Sequence, residues 1–169
     1  MLFNKEYEFK GKHATYCRFL KEKIHLFKTF REAYATCALV GFINDRRADR
    51  DTAKQDDKVQ PASILPGEMA QKRLDLAFIY RLMMLIIPIE NGTEKDYQDR
   101  AFRYDADEGN YSVELQECMK IFNSYVLGGI EILYDVFKDC KDTKDVVNTL
   151  NDYLFEFYED TGIIDVTEE

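Results

Sequence analysis

Histidine is the commonest general base in proteins, and this chain of 169 residues carries only two, His13 and His25. Neither stands in an H-E-x-x-H run or another metal-ligand spacing. Neither has a serine or cysteine beside it in a nucleophile-and-base arrangement. The four cysteines, Cys17, Cys37, Cys118 and Cys140, include no C-x-x-C pair. They are expected reduced and buried, as small hydrophobes. Carboxylates recur at helical spacing, Asp135 with Asp139 and Asp152 with Glu156. Both pairs lie opposite the apolar stripe of their segment, so they read as solvated faces rather than as convergent ligands of a nuclease metal. Gly128-Gly129 is no phosphate loop, because it lacks the preceding strand and the lysine that such a loop needs. No catalytic residue, cofactor site or metal site is assigned.

Binding chemistry has better candidates. The run Gly41-Phe42-Ile43-Asn44-Asp45-Arg46-Arg47, with Arg50 just beyond, ends a helical pattern, presents an aromatic ring and follows it with guanidinium groups. Arginine grips phosphate or carboxylate with a planar fork. Phe42, Arg46, Arg47 and Arg50 are therefore the candidate partner-binding residues. Asp45, Asp49 and Asp51 interleave with them, and self-pairing within the loop is the competing reading. A second aromatic group, Tyr153, Phe155, Phe157 and Tyr158, lies in acidic surroundings. Stacking on bases needs a positive groove, so Tyr153, Phe155 and Tyr158 are read as core or as an alternative protein interface.

Helices must position these groups. Apolar residues fall three and four apart from Lys12 to Phe27, with a break expected near His25. Thr29-Phe30-Arg31-Glu32 has the T-x-x-E form of a capping box and opens a helix that ends near Gly41. Residues 44–62 have no apolar period and read as a long charged loop, a kind often functional. Ser63 to Ile87 predicts one helix with Pro66 in its first turn, apolar on nearly every face and hence central. Asn91-Gly92 marks a turn and Thr93 caps a polar helix to Arg103. An acidic loop at 105–110 precedes a helix from Tyr111 to about Asp139, striped by Leu115, Met119, Phe122, Val126, Ile130, Leu133 and Phe137. Within it, Gly128-Gly129 predicts a close helix crossing, with a hinge as the alternative. The last helix, from about Thr143 to Asp160, is expected to bury Val146, Val147, Leu150, Leu154 and Phe157. It should pair antiparallel with its predecessor, with Gly162 as cap and the acidic tail from Asp165 fraying.

The segment FKTFREAYATCALVGFINDRRADRD, over about residues 28–50, resembles a helix-then-GF-x-x-x-R-R segment of small helical accessory proteins associated with bacterial DNA-phosphorothioation systems. The resemblance implies a helical accessory protein of a DNA-modification or anti-phage locus, without assigned chemistry.

Composition bounds the rest. With 46% hydrophobic residues and 33% charged, the chain suits a folded globule. Three prolines and eight glycines favour long helices. The expectation is an all-α, single-domain bundle of five or six helices over 1–169, with 1–11 and 162–169 irregular. No apolar run reaches membrane-spanning length and the N-terminus lacks a signal-peptide core, so a cytoplasmic protein without membrane partners is expected. Asn91-Gly92-Thr93 then reads as a turn rather than a glycosylation site. Residues 1–60 carry a balance of +4 and residues 61–169 one of −13. The acidic part opposes nucleic acid, while the basic part can meet an anion, its own acidic half or a neighbouring copy. The leading expectation is a non-enzymatic interaction protein, an accessory subunit of a larger bacterial assembly with a protein partner. The alternatives are a nucleic-acid-binding module using the Arg46/Arg47 loop, and a divergent enzyme whose site is not visible in sequence.

Overall fold

Two helices that cross almost backbone to backbone organise the protein. A computed structural model describes residues 2–52, 62–71, 75–104, 106–107 and 110–161. Helix α2 spans Phe30–Ile43 and helix α6 spans Val113–Phe137. A Cβ on Gly129 would lie 1.9 Å from the Cys37 carbonyl oxygen, and one on Gly41 would lie 2.0 Å from that of Tyr125. Only glycine fits at either place, so each helix contributes one to the same crossing. The expected close crossing at Gly128-Gly129 is what forms. α2 starts with Thr29 Oγ1 accepting from the Glu32 N–H at 3.1 Å. Glu32 reaches back to the Lys28 N–H at 2.9 Å, one residue earlier than a standard box. Ser112 Oγ likewise accepts from Leu115 N–H to start α6.

The remaining elements pack around this pair. Helix α1, Gly11–Arg18, runs on into a π-helical turn, Phe19–Lys23, which ends at His25 with φ +55. Tyr16 stacks on Tyr134 of α6 with ring centroids 3.8 Å apart. Strand β1, Tyr7–Phe9, pairs antiparallel with β2, Ala62–Ile64, placing Tyr7 opposite Ile64. A four-residue helix α3, Pro66–Met69, leads towards α4, Leu76–Ile86, and α5, Glu94–Phe102. The strands β3, Ala106–Asp107, and β4, Asn110–Tyr111, make a second small ribbon before α6. Helix α7, Thr143–Thr161, is the last described element. Phe3, Tyr34, Tyr80 and Phe122 meet edge to face or tilted at the centre, with Phe3 and Phe122 centroids 5.7 Å apart. All four cysteines are free and buried, as expected. The fold is mainly α-helical, and none of its helices is long and apolar enough to cross a membrane among the described residues.

Several expectations are corrected. The single helix from Ser63 to Ile87 is three elements. Ser63 sits in β2 opposite Glu8, α3 stops at Met69, and Asp75 starts α4 by accepting from the Ala77 and Phe78 N–H groups. A side chain that caps so well ends the helical pattern around it and begins another. Pro66 does occupy a helical first turn, that of α3. α4 is not central: its far side is exposed, and α6 takes the central role. The buried face of α7 is Val146 with half-buried Leu150, Tyr153 and Phe157, whereas Val147 faces outwards and Leu154, though partly exposed, lines the apolar cavity beneath the helix. α7 touches α6 sparsely and does not lie tightly along its length. The irregular N-terminal segment is no loose end, since Phe3 and Phe9 are core residues. The stretch 53–61 of the charged loop, most of the acidic loop at 105–110, Gly162 and the tail lie outside the described residues.

Candidate functional site

The arginine loop is placed by how α2 ends. Asp45 takes φ +46, the Asp45 N–H donates to the Phe42 carbonyl at 3.1 Å, and the Arg46 N–H donates to the Gly41 carbonyl at 2.8 Å. This pair of bonds is a Schellman motif, built on aspartate where glycine is usual. The Asn44 amide donates to the Val40 carbonyl and closes the same end. The motif turns the chain back across α6. There Gly128 leaves room for the Arg46 carbonyl, which a Cβ would meet at 2.0 Å. Ala48 N–H then donates to the Ser124 carbonyl at 2.9 Å. Residues 44–52 thus form a strap over α6, and Gly128, the first glycine of the pair, serves the strap while Gly129 serves the helix crossing.

The strap's charges have partners outside the loop. Arg46 donates to Glu131 Oε2 at 3.1 Å. Arg47 lies over the Tyr125 ring, 4.6 Å from its centroid, and donates to its hydroxyl at 2.8 Å. Arg50 donates to the Glu8 carbonyl at 3.1 Å. Phe42 packs on Tyr125 edge to face. Asp51 accepts from the Lys12 N–H at 2.8 Å and so caps α1 from a distance. The structure therefore brings Phe42, Arg46 and Arg47 together along α6 and sets Arg50 apart, against β1.

Glu131 collects a cluster beneath the strap. It meets Lys12 Nζ at 2.7 Å, Arg46 at 3.1 Å and His13 Nε2 at 3.2 Å. Burial pushes the Glu131 carboxyl upward, but hydrogen bonds from Lys12 and Arg46 outweigh it and hold the group below its ordinary range. His13 is fully buried, and burial holds its imidazole below the ordinary value against the pull of Glu131. Its Nδ1 atom has no hydrogen-bond partner among the described residues. The thiols nearby are unfit as nucleophiles: burial pushes Cys17 up to about 12 and Cys37 well above its usual value. His25 is exposed at the end of the π turn. No group of three metal-ligating side chains occurs among the described residues.

The aromatic group on α7 divides. Tyr153 points inward, and burial pushes its phenol up. Phe155 and Tyr158 face outwards. Beneath α7, an apolar cavity of about 230 Å³ is walled by Leu39, Val40 and Ile43 of α2, Leu133 and Phe137 of α6, and Leu150 of α7.

An exposed apolar stripe on α4 has no counterpart in the sequence reading. Phe78, Leu82, Leu85 and Ile86 form a stripe along the outer side of α4, and Phe102 of α5 adjoins them through Arg81, whose guanidinium lies 5.7 Å from the Phe102 ring. Phe78 is 63% exposed, Ile86 55% and Phe102 59%, well beyond incidental exposure for such residues in a row. The opposite side of α4, with Leu76, Ile79, Tyr80 and Met83, is core. Two apolar faces on one helix look the same in sequence as burial all round. The surface is rigidly held. Buried Arg100 donates to the Met84 and Ile87 carbonyls at the end of α4, and the Ile89 N–H donates to Tyr97 Oη at 3.0 Å. Asn91, at φ +55, makes the turn between the two helices.

No protein-family model matches this chain, and neither a curated protein nor a solved structure matches it.

Proposed function

We propose that this protein is a non-enzymatic interaction protein, an accessory subunit of a larger bacterial assembly, and that it docks through the α4–α5 face. One observation carries the reading: a stripe of large apolar side chains stands exposed on a helix pair whose backbone is clamped by Arg100. Burying a side chain of this size is worth about 1.5–3 kcal/mol, so four or five together are enough for a stable interface core. The complementary partner is a protein that offers an apolar helix face. The setting in DNA modification or defence against phage rests on the resemblance of residues 28–50 alone. A nucleic-acid-binding role for Arg46 and Arg47 is the weaker reading, because an ion pair to Glu131 and a stack on Tyr125 already engage these groups.

The experiment is co-purification from the native host with wild type and with a Phe78→Glu, Leu82→Glu variant. Both positions are exposed, so the variant should keep its melting temperature. Wild type should bring down a defined protein in fixed stoichiometry, and the variant should lose it. Equal recovery of the same proteins by both would remove the α4–α5 face from the account.

A further inference from the structure

Between the strap, β1 and α6 lies a polar cleft of about 270 Å³. Its chemistry comes from Arg50 and Asp49 of the strap, Tyr7 of β1, and Lys120, Asn123 and Ser124 of α6. This is where the strap arginines differ. Arg46 and Arg47 face Glu131 and Tyr125, whereas Arg50 enters the cleft and gives one N–H to the Glu8 carbonyl. A guanidinium carries five donors, so most of its fork remains for a ligand. Lys120 has Glu117 at 2.6 Å, but both side chains are exposed, and such a pair on a helix surface holds its cation weakly.

The neutral groups are set by their own bonds. Tyr34 Oη donates to Asn123 Oδ1 at 2.7 Å. The Asn123 carbonyl is therefore occupied, and its NH2 is the end left to donate. Ser124 Oγ donates to the Ile121 carbonyl at 2.7 Å and offers lone pairs. Burial raises the Tyr7 phenol far above its ordinary value, so it stays protonated as a donor even with Arg50 nearby. Two cations and two neutral donors thus line a cleft where one carboxylate, Asp49, also stands. That carboxylate opposes a bare dianion and accepts from a hydroxyl. The volume is several times that of one water, and it admits more than a phosphate group alone.

We propose that this cleft binds a small hydroxylated phosphate, of the sugar-phosphate class. Arg50 and Lys120 hold the phosphate oxygens, the Asn123 amide adds a directed donor, and Asp49 accepts a hydroxyl of the ligand. Bidentate arginine and charge-assisted bonds make the phosphate the dominant contact. The site is independent of the α4–α5 face.

The test is titration calorimetry with glucose 6-phosphate, inorganic phosphate and glucose, on wild type and on Arg50→Gln, Lys120→Gln and Asp49→Asn. Wild type should bind glucose 6-phosphate, bind phosphate more weakly and ignore glucose. Arg50→Gln and Lys120→Gln should each weaken glucose 6-phosphate about tenfold, the loss of one charge-assisted contact. Asp49→Asn should narrow the gap between glucose 6-phosphate and phosphate. In wild type, the side-chain amide resonances of Asn123 should shift on titration, a readout that needs no variant. Absence of binding by every phosphate probe overturns the proposal. So does binding that leaves the Asn123 amide unmoved or survives both charge removals.

Discussion

The α2–α6 crossing and the α7 docking use the same kinds of residue to opposite effect. At the crossing, Gly41 and Gly129 remove side chains so that each backbone meets the other helix's carbonyl groups. At α7, Leu150, Tyr153, Leu154 and Phe157 line a cavity of about 230 Å³ that they do not fill. Dispersion attraction falls steeply with distance, so the first arrangement is stiff and the second yields. A stiff centre can hold the strap and the clamped α4–α5 pair in fixed positions. A loosely docked terminal helix places no such demand on its neighbours.

Substitutions at the two places should separate them. The largest effect is expected at Gly129→Leu, where even the first carbon overlaps the Cys37 carbonyl. Its cost should reach or pass the roughly 3 kcal/mol upper end of ordinary overpacking, read from a urea melt. A loss under about 1 kcal/mol would show that the helices slide apart freely. Next comes Arg100→Ala, which strips the Met84 and Ile87 carbonyls of their donor and should cost about 1–3 kcal/mol.

A matched pair sharpens the contrast further. Val126→Leu adds a methylene at a fully buried position of α6 and should destabilise by about 1–3 kcal/mol. Val40→Leu adds the same group at the wall of the α7 cavity and should be neutral or stabilise by up to about 1 kcal/mol. Equal penalties at both sites would mean that the cavity closes in solution.

Acid should act on the centre through the strap cluster. The folded-state value of His13 lies below its unfolded value of 6.5, so the unfolded chain binds more protons on acidification. Stability is then full above pH 6.5 and falls as pH drops toward the folded value. Glu131 is also held below its unfolded value of 4.5, and its contribution is lost as pH falls further. The charged groups facing the pair are Lys12, Arg46 and Asp51. Thermal melts from pH 8 to pH 4 should show wild type losing stability earlier than His13→Gln, relative to each protein's value at pH 8. Superimposable relative profiles would exclude His13 as the source. The smallest effect is Phe155→Ala on the exposed side of α7, within about 0.5 kcal/mol.

Much of the fold was legible because local signals agreed with tertiary ones. The Thr29-to-Glu32 start, the Thr93 cap and the Gly128-Gly129 crossing follow from side-chain chemistry within a few residues. The break at His25 was also foreseen from the end of the apolar period. What failed was the choice between two apolar faces. On α4, Leu76, Tyr80 and Met83 recur at the same spacing as Phe78, Leu82 and Leu85, and only packing decides which set is core. Val147 of α7 is exposed for the same reason, whereas Leu154 keeps a place at the cavity wall. The lack of an apolar period marks the strap as a loop, but nothing local marks its attachments. Glu131, Tyr125 and Glu8 lie tens of residues from the arginines, and no local pattern links them.

Native-state hydrogen exchange tests the stiff-centre account most directly. Amides of α2 and α6 around Cys37, Gly41, Tyr125 and Gly129 should exchange only through global unfolding, with protection that tracks the stability measured by urea. Amides of α7 from 146 to 157 should exchange through a local opening of lower free energy that is insensitive to denaturant. Protection in α7 equal to that of α6, with the same denaturant dependence, would contradict the account and make the two regions one cooperative unit.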